Sequence, residues 1–149
     1  MSTTTYDTRL YPPLLTCLLV ALLGASFGLI FVPVNSAIAV MVAVVGAMVA
    51  TGILLATSPR IRVRDGVLWA GPAHIPVHFF TDMQALDKQQ LREIMGPNSD
   101  ERAWVLHRPW ARTAVYLPLN DPRDPTPYWL VCTKDPHRLM QALRSARRD

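Results

Sequence analysis

Hydrophobic and charged positions divide the chain into two parts. Residues 10–59 contain no Asp, Glu, Lys or Arg. Apart from Asp7 and Arg9, every acidic and basic side chain lies in residues 60–149. A soluble core does not require so long an uncharged segment, whereas a pair of membrane spans does.

The uncharged segment contains two apolar runs, 12–32 and 36–57. Each run has just over twenty residues, which as a helix measures about 30 Å, the thickness of the hydrocarbon layer. The short connector at 33–35 begins with a proline and predicts a tight turn. We therefore expect a transmembrane helical hairpin at 12–57, preceded by a short cytosolic N-terminus at 1–11. A cleaved signal peptide is disfavoured, because its apolar region has only about 7–15 residues.

The basic residues that flank the spans predict the orientation of the hairpin. Arg9 precedes the first span, and Arg60, Arg62 and Arg64 follow the second, whereas the connector carries no charge. The positive-inside rule then gives a multi-pass protein of the plasma membrane with both termini in the cytosol. The three arginines after the second span are also expected to contact the anionic head groups of the lipid bilayer.

Small residues recur at every fourth position in both spans, and such spacing lets helices approach closely. The positions are Gly24 and Gly28 in the first span, and Ala39, Ala43 and Ala47 in the second. Two interpretations are open. Either the two spans pack on each other, or one of these stripes binds a partner membrane protein.

Residues 60–149 show the two-residue period of strands, and we expect them to form a cytosolic α+β domain. In 60–64, the apolar side chains alternate with arginines. Asp65-Gly66 then predicts a two-residue hairpin turn, because such turns need positive φ at both central positions. Six strands are expected in all, at 60–64, 67–71, 74–80 or 74–85, 103–107, 113–119 and 128–133.

Two helices complete the predicted domain. Asp87 and Gln90 form a capping box at the start of a short helix, 87–97. Asp135 caps a C-terminal helix whose first position is Pro136. The fold class is therefore an α+β membrane protein, with a transmembrane hairpin followed by a small antiparallel β domain and a C-terminal helix. Strands in series closed by one helix are similar to a pleckstrin-homology-like barrel.

Four sequence strings carry a family resemblance. They are "V-x-DG-x-L" (63–68), "HRPW" (107–110), "DPRDPTPYW" (121–129) and "T-x-x-P-x-x-L-x-x-AL" (133–143), behind two N-terminal spans. With them the chain resembles an actinobacterial membrane-protein family, domain of unknown function 3093, over nearly its whole length. The resemblance implies a membrane location and this layout. It implies no catalytic residue, because the family carries no assigned activity.

The sequence contains none of the common catalytic or cofactor motifs. The dinucleotide and phosphate-loop glycine patterns and the GxSxG elbow are all absent. His74 and His78 lie four apart beside two prolines that disfavour a helix, and in a strand they would be about 13 Å apart, too far to share an ion. We therefore predict no cofactor, no metal site and no enzymatic activity. Nucleic-acid binding is not expected either, because it would require a denser basic stripe interleaved with aromatic residues.

The aromatic and Asp-Pro segments allow two interpretations. If "HRPW" is the turn of a hairpin between 103–107 and 113–119, it lies at the hairpin tip and Arg beside Trp suits an acidic or anionic partner. Alternatively, the aspartates accept hydrogen bonds from backbone amides and the aromatic residues fill the core. The candidate interaction surface comprises His107, Arg108, Trp110, Asp121, Asp124, Tyr128 and Trp129.

Together these patterns favour a membrane-anchored, non-enzymatic interaction or lipid-surface module, for example an accessory subunit of an envelope-linked membrane complex. The alternative is a membrane-bound enzyme whose site combines His107, Arg108 and Asp124. Such a site would require these side chains to meet in a pocket that excludes water.

Overall fold

The computed structural model describes residues 4–148 and divides into two compact units. One, here called the helical unit, contains residues 11–58. The other, here called the β unit, contains residues 4–10 together with 59–148. Residues 4–10 therefore belong to the β unit, the next 48 residues form the helical unit, and the chain then returns to the β unit.

The helical unit consists of two long apolar helices. The first comprises α1 (Leu14–Ser26) and a 3-10 helix (Phe27–Phe31), and the second is α2 (Ser36–Ala56). The side chain of Asn35 caps α2 by accepting a hydrogen bond from the Ala37 N–H at 2.8 Å. The first span has 18 residues and the second 21, and the most apolar 18-residue window in each has a mean hydropathy of 2.5 and 2.6 respectively. Both are therefore long and apolar enough to cross a membrane.

The small residues of the two helices face each other. A Cβ atom at Gly24 would collide with the carbonyl of Gly46, and one at Gly28 would lie 2.7 Å from the Cβ atom of Ala43. This close approach agrees with the interpretation in which the two spans pack on each other. The small residues that were also candidates for binding a partner membrane protein thus lie where the two helices pack on each other. They are Gly24, Gly28, Ala39, Ala43 and Ala47.

Within residues 4–148, the β unit contains eight strands in two four-stranded sheets. The strand order is β1-β2-β3-β4 in one sheet and β5-β7-β8-β6 in the other. The strands are β1 (Thr4–Arg9), β2 (Arg60–Arg64), β3 (Val67–Ala70), β4 (Ala73–Pro76), β5 (Gln84–Leu86), β6 (Trp104–Leu106), β7 (Thr113–Pro118) and β8 (Tyr128–Thr133); the helices are α3 (Lys88–Met95) and α4 (Pro136–Arg148). The mixed α+β class predicted from the sequence is confirmed.

Strand β1 was not predicted, because residues 4–9 are too few and too polar to show a period. It pairs antiparallel with β2, so that Arg9 lies opposite Arg60. Immediately beyond this pair, the Leu10 N–H donates to the Pro59 carbonyl oxygen at 3.1 Å. The two strands that flank the helical unit in sequence are therefore neighbours in one sheet.

The predicted strand at 74–80, or 74–85, was wrong. The structure places β4 in the first sheet, a 3-10 turn at Val77–Phe79, and β5 in the second sheet. Pro76 has no N–H to donate to a ladder, and it stands at the end of an edge strand. The chain turns here to pass from one sheet to the other. Residues 60–148 therefore contain seven strands, against the six predicted for 60–149.

A hairpin between 103–107 and 113–119, one of the two possibilities that the sequence left open, does not form. β6 pairs with β8 in parallel, with Trp104 opposite Trp129, while β7 lies between β5 and β8. The ring centroids of the two tryptophans lie 4.4 Å apart in a stacked arrangement. The burial of Trp129 and the partial burial of Trp104 against it give a physical reason why β6 pairs with a distant strand rather than with its neighbour in sequence.

The local signals, in contrast, were confirmed. Asp65 and Gly66 have φ of 50° and 72°, as a two-residue hairpin turn requires. Asp87 and Gln90 form the predicted capping box at the start of α3. The carboxylate of Asp135 accepts a hydrogen bond from the Arg138 N–H at 3.1 Å and caps α4.

The core of the β unit lies beneath α4 and between the apolar faces of the sheets. All six residues of β8 are buried, so it is the most enclosed strand. Helix α4 contacts strands of both sheets and inserts Leu139 and Leu143, which have no exposed surface. β1 contributes Tyr6, whose hydroxyl hydrogen-bonds the Thr133 hydroxyl at 3.3 Å. The first strand of the chain is thus part of the core.

Candidate functional site

The residues of the predicted interaction surface do not form one surface. The segment at 107–110 follows β6, and the parallel register places it beside Cys132, near the end of β8. The loop with Asp121 and Asp124 precedes the start of β8. Tyr128 and Cys132 are four residues apart in a strand, which corresponds to about 13 Å. The structure thus separates Asp124 from His107, two of the three residues of the alternative enzyme site.

His107 contacts the one buried thiol of the described residues. Its Nδ1 lies 3.6 Å from the Sγ atom of Cys132. Burial raises the pKa of Cys132 to about 11. A hydrogen bond from the backbone of Arg108 lowers this pKa, but its effect is smaller than that of burial. Burial therefore favours the neutral thiol, and Cys132 packs in the core of the β unit. Within residues 4–148, no three His, Cys, Asp or Glu side chains lie close enough to share a metal ion.

Trp110 anchors the segment at 107–110 to the start of the β unit. Its Nε1–H donates to the Leu10 carbonyl oxygen at 3.1 Å. The Cζ atom of Arg108 lies 6.0 Å from the centroid of the Trp110 ring, at the outer limit of a cation–π contact. The indole is partly buried, and its position is fixed by one hydrogen bond and by the guanidinium beside it.

The Asp-Pro loop behaves as a structural connector. Asp121 accepts a hydrogen bond from the Arg123 N–H at 2.9 Å, and Asp124 accepts one from the Thr126 N–H at 2.9 Å. Hydrogen bonds from the side chain and backbone of Thr126 hold the pKa of Asp124 below its usual value. Both carboxylates thus stabilise the turns that lead into β8.

Tyr128 and Trp129 are core residues, which corrects their assignment to a surface. Their side chains are 8% and 5% exposed. Trp129 stacks on Trp104, and the Tyr128 hydroxyl accepts a hydrogen bond from the Asp100 N–H at 3.3 Å. The physical reason is that β8 is an interior strand of its sheet and that both of its faces pack in the core.

The arginines predicted to contact lipid are held by carboxylates of the same unit. Arg60 binds Asp7 through two nitrogens at 2.8 Å, and Arg62 approaches the same carboxylate at 3.2 Å. Arg64 pairs with Asp65 at 3.2 Å. Hydrogen bonding from Arg60, aided by the charges of both arginines, holds the pKa of Asp7 below its usual value. Two acidic groups therefore offset part of the positive charge of this strand.

A groove of about 480 Å³ lies between α3 and the segment at 107–112. We call it the α3 groove. Its apolar lining comes from Leu91 and Met95 on the helix and from Pro109 and Ala111 on the segment opposite. Its polar lining is basic apart from the backbone of Gly96, and it consists of Lys88, Arg92, His107 and Arg112.

The cations of the α3 groove are not neutralised. Within residues 4–148, neither Lys88, Arg92 nor Arg112 makes an ion pair or a side-chain hydrogen bond. These three residues were not among the candidate site residues predicted from the sequence. One signal was available, since Lys88 and Arg92 are four apart on the predicted helix and therefore share a face. No pattern in the sequence placed Arg112 on the opposite wall.

These features define the class of the protein. It is an α+β protein in which two helices, each apolar enough to cross a membrane, are inserted between adjacent strands of one sheet. The chain belongs to the family described as protein of unknown function (DUF3093), whose model matches residues 5–143. The match extends from β1 into α4 and confirms the family resemblance in the sequence. No curated protein and no solved structure matches the chain.

Proposed function

We propose that the chain is a membrane-anchored, non-enzymatic interaction module. In this proposal the helical unit crosses the plasma membrane twice, and the β unit lies in the cytosol with both termini. The β unit binds a protein partner there, as an accessory subunit of a membrane complex. The observation that carries the proposal is the pairing of β1 with β2 on either side of the helical unit.

The pairing of β1 with β2 supports the placement of both termini on the same side of the membrane. β1 precedes the two helices and β2 follows them, yet they share one sheet and one core. A bilayer cannot separate two hydrogen-bonded strands, so an even number of crossings must join them. The same pairing argues against a cleaved signal peptide, because cleavage after the first helix would remove β1 from the core. The positive-inside rule supports the cytosol as the common side.

The surface of the two helices supports the membrane anchor. In the most apolar 18-residue window of each candidate span, only 11% and 6% of the residues are buried. Their large apolar side chains are therefore exposed, as they would be to lipid, whereas soluble proteins rarely expose continuous apolar patches of that extent. A core helix of a soluble protein would instead be mostly buried.

Charge favours a protein partner over a lipid surface. Asp7 and Asp65 offset the arginines at 60, 62 and 64, which were expected to bind anionic head groups. The α3 groove instead presents unpaired cations around an apolar lining. A pleckstrin-homology-like fold remains part of the proposal. Two sheets followed by α4 support it, while the parallel pair β6–β8 departs from the antiparallel series on which it was based.

The absence of enzymatic activity is likewise proposed on the arrangement of the side chains. His107 and Asp124 belong to segments at different ends of β8. The carboxylate of Asp124 accepts a hydrogen bond from Thr126 in its own loop. A general base requires an orienting partner within hydrogen-bond reach, and these two residues do not supply it to each other.

Cysteine labelling in intact cells tests the membrane topology. With Cys17 replaced by Ser, Val34→Cys in the connector and Gln141→Cys on α4 each offer one exposed thiol, since Cys132 is fully buried. We expect a membrane-impermeant maleimide to label position 34 in intact cells and position 141 only after lysis. Labelling of position 141 in intact cells would overturn the cytosolic placement, and labelling of both would show that the hairpin does not span.

A further inference from the structure

We propose that the α3 groove binds an acidic segment of the partner protein. An apolar side chain of that segment enters the groove, and carboxylates on either side of it meet the basic rim. This inference rests on the proposed function and deepens it, because it assigns the interaction to one site and gives the partner a chemistry. It follows from the charge, the shape and the rigidity of the groove.

The charge of the rim selects an acidic ligand. Lys88 and Arg92 are one helical turn apart on α3, and Arg112 lies on the opposite wall. Within residues 4–148, no carboxylate lines the groove and none pairs with these three cations. A ligand with carboxylates at two points could therefore meet cations on both walls, and an arginine can bind a carboxylate through two parallel hydrogen bonds.

The lining of the groove selects an apolar side chain between those carboxylates. Leu91 and Ala111 are 5% and 2% exposed, so they form the buried side of the lining. Met95 is 36% exposed and lies at the rim. Methionine adapts its shape to different apolar partners at low cost. A volume of about 480 Å³ falls in the range of small ligand pockets and accommodates one or two large side chains.

Both walls are held in place before any ligand binds. The capping box of Asp87 and Gln90 fixes the first turn of α3, with hydrogen bonds of 2.8–3.0 Å. The opposite wall is tied down by the hydrogen bond from Trp110 to Leu10. Preformed walls lower the entropy that is lost on binding, so a short segment can bind without folding the site.

The same features disfavour the other anionic ligands. A bilayer surface has no protruding apolar residue to enter a concave groove, and it would meet the cations on the outer rim only. Single-stranded nucleic acid binds by stacking bases on aromatic side chains, and none of the residues that line the α3 groove is aromatic apart from His107. A peptide segment is the occupant that uses both the rim and the lining.

Peptide binding to the full-length chain in mild detergent tests the inference. The probes are fluorescein-labelled octapeptides of three kinds: acidic with a central Leu-Phe, acidic with a central Ser-Gly, and basic with a central Leu-Phe. We expect the first kind to bind most tightly, and its affinity to fall as salt screens the rim charges. Arg92→Glu should weaken its binding on the order of tenfold and shift the preference toward the basic peptide.

Arg138→Glu is the matched control, because it makes the same charge change on the exposed face of α4 and should leave peptide selection unchanged. Equal binding of all three peptides, or equal loss in both variants, would overturn the inference. The inference would also be overturned if the protein showed no preference among the peptides but bound vesicles of phosphatidylglycerol and phosphatidylcholine, and if Arg92→Glu abolished that vesicle binding. A photo-cross-linking residue in place of Met95 distinguishes failure of this inference from failure of the proposed function. If a protein is cross-linked there but acidic peptides are not preferred, the inference is overturned and the proposed function is retained.

Discussion

Asp7 is the residue whose role changes most between the sequence and the structure. In the sequence it is an isolated acid in a polar N-terminal segment. In the structure its carboxylate is shared by Arg60 and Arg62 of the neighbouring strand. The contact joins residues 53 and 55 positions apart in sequence, across the insertion of the helical unit.

We predict that Asp7→Asn lowers the stability of the β unit by up to about 1 kcal/mol at neutral pH, the usual range for partly exposed ion pairs. Hydrogen bonding from Arg60 lowers the pKa of Asp7 from its usual 3.8. Its contribution is therefore complete above about pH 3.8 and is lost as the pH falls through the lower folded-state value. Thermal unfolding of the full chain in detergent at several pH values measures this difference.

The control for Asp7 is Asp82→Asn, since Asp82 is an exposed acid that makes no ion pair within residues 4–148. Wild type and Asp7→Asn should converge in unfolding temperature at acid pH, while Asp82→Asn should follow wild type throughout. A difference between wild type and Asp7→Asn that persists unchanged in acid would contradict the assigned role.

At the scale of elements, the packing of α1 on α2 depends on glycine. A Cβ atom at Gly24 would meet the backbone of Gly46, which cannot move aside as a flexible side chain can. At Gly52 a Cβ atom would meet nothing within 4 Å. The two positions are therefore a matched pair of helical glycines that differ in their surroundings.

We predict that Gly24→Ala destabilises the helical hairpin by roughly 1–3 kcal/mol, the usual cost of overpacking. Gly52→Ala should leave its stability unchanged or raise it slightly, because alanine favours the helix. The measurement is the temperature at which half of the detergent-solubilised chain leaves the monodisperse peak in size exclusion. Equal temperatures for the two variants would show that α1 and α2 do not approach closely at Gly24.

At the scale of the whole molecule, the β unit is assembled from two distant parts of the chain. Tyr6 and Leu10 are 6% and 0% exposed, so the N-terminal part fills the core. Burying a side chain such as Leu10 contributes about 1.5–3 kcal/mol. The hydrogen bond between Leu10 and Pro59 also shows that the two ends of the insertion lie side by side.

We predict that a chain in which a short Gly-Ser linker replaces residues 11–58 folds as a soluble β unit, because the linker needs to span only adjacent backbone positions. A chain that starts at Pro59 lacks β1 and should unfold at a lower temperature, or aggregate through the exposed edge of β2. Circular dichroism during heating compares the two. Equal unfolding temperatures would mean that β1 is dispensable.

Sequence reasoning located the elements whose signals are local. The uncharged runs predicted both long helices, Asp65-Gly66 predicted its turn, and Asp87 and Asp135 predicted their caps. In each case the interacting groups are within four residues of each other, or the signal is the composition of the segment itself. For the candidate site, the sequence identified only His107 among the residues that line the α3 groove.

The sequence by itself therefore determined the two apolar spans, the family, the mixed α+β class and most element boundaries. Only the tertiary structure decided that β1 completes the first sheet, that β6 pairs in parallel with β8, and that Trp129 is buried. It also brought Arg112 to face α3 across a groove. The physical reason is that these features join distant segments, and which segments pair depends on the apolar surface that all of them bury together.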